Sequence, residues 1–269
     1  MDYMPVLKGA VSDLVQGRAA KALPVMQGLV AAVEQEDRYQ EDEQNCYYAF
    51  DEEFEDLLFL AREDTGKEVH WVKEPFSLVY VFDGAVHMEL GDMEAAIASY
   101  RKALTWNPVS AKAQLAMADA LIATNHIEDY YKITQESFPN IFHSEEMGQA
   151  YRNLARYYGL GQNYDAAVSC YGLSMLYEQS EEALQGLSTL QQSAPDKVHT
   201  PSDDQLVLVS EEHGFPLSPD PAVLTTAFTQ IRLAESAGEE ERAKRFREII
   251  YDLKQGQALS QLEQEEKTP

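Results

Sequence analysis

The chain has 269 residues and carries 46 Asp and Glu against 21 Lys and Arg, a net charge of −25. Such a balance excludes nucleic acid and anionic lipid as main partners, because both require a basic footprint that displaces counterions. With 45% apolar residues, 15 Tyr and 10 Phe, the chain has material for a core, so general disorder is excluded as well.

The predicted elements are helical from the start. Residues 4–16 and 18–35 read as a helix pair, with Ala10, Gly17, Ala22 and Met26 at packing positions. Residues 38–62 predict one or two helices containing Tyr47, Tyr48, Phe50, Phe54, Leu57, Leu58 and Leu60. Ser77 to Ser110 holds two amphipathic helical patterns joined at Leu90-Gly91-Asp92, where Gly suits a left-handed helix end and Asp caps the next helix. Tyr80, Gly84 and His87 share a stripe of the first; Ala96, Tyr100 and Ala103 share one on the second, and Asn107-Pro108 stops it. The small residues Gly84 and Ala96 permit close approach, and Tyr100 and Trp106 fill the space beside them.

A second copy begins at Ala111, with Met117, Ala118 and Leu121 in register and Asn125 in place of the turn glycine. Its second helix is degenerate, with Tyr130 where a small residue is expected and Pro139 at its end. A third copy, Gly148 to Glu181, has Tyr151, Leu154, Ala155 and Tyr158, a turn assigned to Gly159-Leu160-Gly161, then Tyr164, Ala167 and Tyr171. This pattern resembles the tetratricopeptide repeat. The resemblance implies an all-α fold, a right-handed superhelix of antiparallel helix pairs, in which the signature residues serve packing.

The organisation that follows is an N-terminal helical region with an acidic segment (1–76), a repeat core (77–192), a polar linker with Pro195 and Pro201 (193–201), and a C-terminal helical region (202–258). Within the last, a short helix over 203–212 leads through a proline-rich turn to a pair at 222–236 and 239–256. Residues 259–269 are expected to be a disordered tail.

No pattern carries catalysis. The six histidines never pair at metal-ligand spacing, Cys46 and Cys170 stand alone, and phosphate-loop and nucleophile-elbow motifs are absent. No metal, cofactor or enzyme activity is expected. A cytoplasmic location is expected: the first residues show no signal-like pattern, the apolar run 19–33 is interrupted by Lys21, Pro24 and Gln27, and two isolated cysteines suit reduced thiols.

The resemblance implies a protein–protein interaction adaptor or scaffold that holds a peptide or protein segment in a concave groove. The first helices of the three copies would supply its wall: Val81, Phe82, Ala85 and Met88; then Lys112 and Asp119; then Gln149, Arg152, Asn153 and Arg156. Arg152 and Arg156 lie one helical turn apart and could converge on one anion, or pair with acidic neighbours such as Glu145, Glu146 or Asp119. Co-chaperones of this family grip a C-terminal carboxylate with Lys and Asn where this chain has Val81 and Ala85, so that activity is not implied. The alternative is an acidic chaperone or mimic presenting residues 34–68 to a basic protein. That stretch holds 14 acidic and three basic residues, a net −11. On either reading the partner is a protein or peptide, with no role for nucleic acid or membrane.

Overall fold

One backbone turn recurs at five helix–helix connections of the described residues. In the computed structural model, which describes residues 2–254, it is found at Gly17, Gly91, Asn125, Gln162 and Gly238, all with φ between 60° and 80°. Each of these residues donates its N–H to the carbonyl three residues back, and the next residue donates to the carbonyl five back. Gly91 N to Met88 O (3.0 Å) and Asp92 N to His87 O (2.9 Å) are one instance. This pairing satisfies the last carbonyls of the outgoing helix and reverses the chain. Asn125 does take the glycine's place, as expected. In the third copy, however, the left-handed residue is Gln162 (φ 60°), while Gly161 keeps φ −77°. Position within the repeat decides this, because 91, 125 and 162 are equivalent places in the three copies.

The described residues divide into two compact units that meet between Ile133 and Thr134, a division that falls inside the expected repeat core. In the first unit α1 (Tyr3–Val15) pairs with α2 (Ala19–Glu34), and α4 (Phe76–Glu89) pairs with α5 (Met93–Trp106). Helix α2 also packs on α4, and α5 on α6 (Ala111–Ala123). The core includes Leu7, Met26, Leu29 and Phe76, each at most 2% exposed, and each such side chain contributes about 1.5–3 kcal/mol. Asp92 and Ser110 cap the helices that follow them, through Ala95 N and Ala113 N.

The 38–62 region departs from expectation. It holds a strand β1 (Asn45–Tyr48) and one helix α3 (Glu53–Arg62), and β1 pairs in parallel with β2 (Glu68–Trp71), Cys46 facing Val69 and Tyr47 facing His70. Strands of four residues are too short to display alternation, and the aromatic run Tyr47, Tyr48, Phe50 reads equally well at helical spacing. Ala49 N donates to Trp106 O (2.8 Å), which ties the strand's end to the C-terminus of α5. Glu52 and Glu55 form a reciprocal cap at the start of α3.

In the second unit α8 (Ser144–Leu160) pairs with α9 (Tyr164–Tyr177), and α10 (Glu181–Ser193) packs on both. Helix α11 (Asp203–His213) packs on α9, and α12 (Pro221–Ser236) pairs with α13 (Glu240–Lys254). The segment from His213 to Pro216 lies along α8. Tyr158 Oη donates to His213 O (3.1 Å), Tyr151 Oη to Pro216 O (2.8 Å), and Phe215 is buried. Helix α7 (Ile127–Ser137) contains the division between the units. The expected tail at 259–269, and the end of the last expected helix, lie outside the described residues.

Candidate interaction surfaces

Helix α4 carries the first expected stripe. Phe82, Ala85 and Met88 are half-buried, whereas Val81 is 3% exposed and packs in the core. On α6, Lys112 is exposed and Asp119 half-buried. The Lys112 ammonium stands 5.1 Å from the centre of the Phe82 ring, a cation–π contact that places residues of two successive first helices side by side. Deeper in the same pair, Ser99 Oγ donates to Asp83 Oδ2 (2.6 Å), and His87 sits between Asp83 and Asp92 at 3.8 and 3.7 Å.

The third copy presents a different face. Arg152 Nη1 meets Glu178 Oε2 at 2.5 Å and its Nε lies 3.5 Å from Glu182 Oε2, while Arg156 pairs with Glu182. The Arg152 side chain is only 10% exposed. Asn153 is buried and Gln149 half-buried. The two arginines therefore converge on carboxylates of their own chain. Those partners lie at the end of α9 and the start of α10, too far along the sequence for helical spacing to point to them.

Two features of the first unit were not legible in the sequence. The first is an acid pair, a buried Glu55 beside a half-buried Asp51. Glu55 Oε2 accepts from the backbone N–H groups of Asp51 (2.7 Å) and Glu52 (2.9 Å), and Ser77 Oγ donates to Asp51 Oδ2 (3.4 Å). Burial, and then the Glu55 charge, push the Asp51 carboxyl up to about 8, and burial raises that of Glu55 as well. Lys112, Asn107 and Ser77 offset only part of the Asp51 shift.

The second is a cleft of about 580 Å³. Tyr39, Tyr47, Tyr48, Tyr80 and Trp106 form its aromatic lining. Its carboxylates are Glu34, Glu36 and Glu41, with Lys102 as the opposing charge. These residues come from α2, the following loop, β1, α4 and α5, so only folding assembles them. The Arg38 guanidinium lies 4.9 Å over the Tyr39 ring and pairs with Glu36 at 2.5 Å and Glu74 at 2.9 Å. That contact holds the Glu36 carboxyl well below its ordinary value, at about 2.

Among the described residues no group of three or more His, Cys, Asp and Glu is placed to hold a metal ion, and no helix is long and apolar enough to cross a membrane. Comparison with protein families matches residues 87–129 to the tetratricopeptide repeat. The match runs from the end of α4 through α5 and α6 into α7. Comparison with curated proteins finds no match.

Proposed function

We propose that this chain, a tetratricopeptide repeat protein, acts as an adaptor or scaffold that holds a peptide or protein segment on the first-helix faces of its repeats. The observation that carries this is the Lys112 ammonium over the Phe82 ring, which joins α4 and α6 into one amphipathic surface. Phe82, Ala85 and Met88 would supply apolar contact, and Lys112 and Asp119 polar anchoring. In the second unit Gln149, Arg152 and Arg156 remain candidates, while the buried Asn153 is withdrawn from the contact face. The arginines would have to exchange Glu178 and Glu182 for a ligand carboxylate, which makes them the weaker half of the reading. Free, buried Cys46 and Cys170 support a reducing compartment such as the cytoplasm.

Selection of extended peptides by display against the whole chain tests this. Selected peptides should lose about tenfold or more in affinity to Ala85→Arg and to Lys112→Glu. They should bind Arg101→Glu, on the exposed side of α5, as they bind the unaltered chain. Peptides indifferent to both α4 and α6 substitutions would remove that face from the site. Peptides indifferent to Arg152→Glu combined with Arg156→Glu would remove the third copy.

A second reading, that residues 34–68 present an acidic surface to a basic protein, is favoured by the gathering of Glu34, Glu36 and Glu41 around one cleft. It requires an affinity that falls steeply as salt is added.

A further inference from the structure

We propose that the cleft lined by Tyr39, Tyr47 and Trp106 receives one cationic side chain, that of an arginine, from a basic partner segment. The inference rests on the second reading above and gives that acidic surface a specific receptor. Three independent features agree on the charge of the occupant. The lining supplies several π faces, whose quadrupoles attract a cation. Two helices end at the cleft: Val33 and Glu34 close α2, and Thr105 and Trp106 close α5, so the negative ends of two helix dipoles lie at one place, although Val33 O and Trp106 O each already accept one backbone hydrogen bond. Finally, one lining carboxylate, Glu34, is left without an ion pair among the described residues, whereas Arg38 and Lys67 engage Glu36 and Glu41.

The carboxylates are not equivalent. Glu36 is engaged by Arg38, and Glu41 by Lys67 at 2.6 Å. Glu34 makes no ion pair among the described residues, yet its charge raises the pKa of Tyr80, second only to burial as a cause. Glu34 is thus the carboxylate available to an incoming cation. Arg38 already displays the intended chemistry, a guanidinium on the Tyr39 ring held by two carboxylates. A planar guanidinium that can stack and donate two parallel N–H hydrogen bonds to a carboxylate suits such a lining better than a compact ammonium. The volume, about 580 Å³, suits an organic side chain with some of its backbone and exceeds what a bare ion needs.

The test is fluorescence anisotropy with a fluorescein-labelled peptide of repeating Gly-Ser-Arg, a counterpart with citrulline for arginine, and one with lysine. The arginine peptide should bind the whole chain about tenfold tighter than the neutral citrulline peptide and more tightly than the lysine peptide. Glu34→Gln and Tyr47→Leu should each weaken it about three- to tenfold, whereas Lys102→Glu, an exposed change, should tighten it. Argininamide should compete. Binding that weakens with salt but ignores all three substitutions would overturn the cleft and leave the acidic-surface reading standing. No binding of the arginine peptide at low salt would overturn both. Displacement by tetramethylammonium more effective than by argininamide would overturn the arginine assignment in favour of a small cationic ligand.

Discussion

A Cβ placed on Gly84 would stand 2.5 Å from Cε1 of Tyr100. The ring of Tyr100 is 2% exposed and is the means by which α5 packs into α4, so it has no open space to enter. Gly84→Val should destabilise the first unit by about 1–3 kcal/mol, the usual cost of overpacking a filled core. Both tryptophans, Trp71 and Trp106, lie in that unit, so urea unfolding followed by tryptophan fluorescence reads it selectively. A midpoint equal to that of the unaltered protein would mean that Tyr100 repacks without cost.

The same substitution logic applies to Gly186, whose added Cβ would collide with the Tyr171 ring. Gly186→Val should loosen α10 from α9. Amide exchange of α10 should then quicken well ahead of exchange in α8, because α10 relies on that contact for its seat.

The left-handed residue of the third copy is a glutamine, whose Cβ is strained at φ 60°. Gln162→Gly should stabilise the second unit by about 0.5–1 kcal/mol, and Gly91→Ala should cost the first unit about 1 kcal/mol. Differential scanning calorimetry of the whole chain would show opposite shifts for the two variants.

The Asp51–Glu55 pair predicts a pH dependence. Folding raises the Asp51 carboxyl from the usual carboxylate range to about 8, so the folded state binds a proton that the unfolded state has released. Its contribution to stability is therefore complete below the unfolded pKa and is lost as pH rises towards 8. Asp51→Asn should flatten this decline and raise the urea midpoint at pH 8 while changing it little at pH 4. The raised Glu55 carboxyl would leave a smaller slope of the same sign. A variant whose slope matches the unaltered chain's would show that Asp51 is ionised in the folded state.

In the second unit the segment after α11 is held on α8 by Tyr151, Tyr158 and the buried Phe215. Phe215→Ala should cost about 3–4 kcal/mol through the cavity it leaves. Tyr151→Phe should cost about 1 kcal/mol for the lost hydrogen bond. Cleavage between 213 and 220 under limited proteolysis should quicken in that order.

The sequence by itself determined the helix pairs. The small Gly84 opposite Tyr100, the small Ala96 one turn before that tyrosine, and Gly91 and Asn125 fourteen places after the start of the first two copies are local requirements that residue types state directly. The same locality explains why Asn125 was readable as a turn, whereas Gln162 was not: its neighbour Gly161 looked the better candidate, and the helix length of α8 overruled it. The strands β1 and β2 escaped because pairing of Tyr47 with His70 is a long-range event that a four-residue run cannot advertise.

The candidate sites divide in the same way. A helical stripe predicted which first-helix positions share a face, but not that Val81 and Asn153 turn inward or that Arg152 and Arg156 meet Glu178 and Glu182. Only tertiary structure could bring the end of α2, the end of α5 and strand β1 to one cleft, or set the half-buried Asp51 beside the buried Glu55. The opening charge of −25 was a property of composition. Its chemical meaning depends on which carboxylates folding pairs, which it buries, and which, like Glu34, it leaves facing aromatic rings, because desolvation and distance set the energy of a charge and sequence fixes neither.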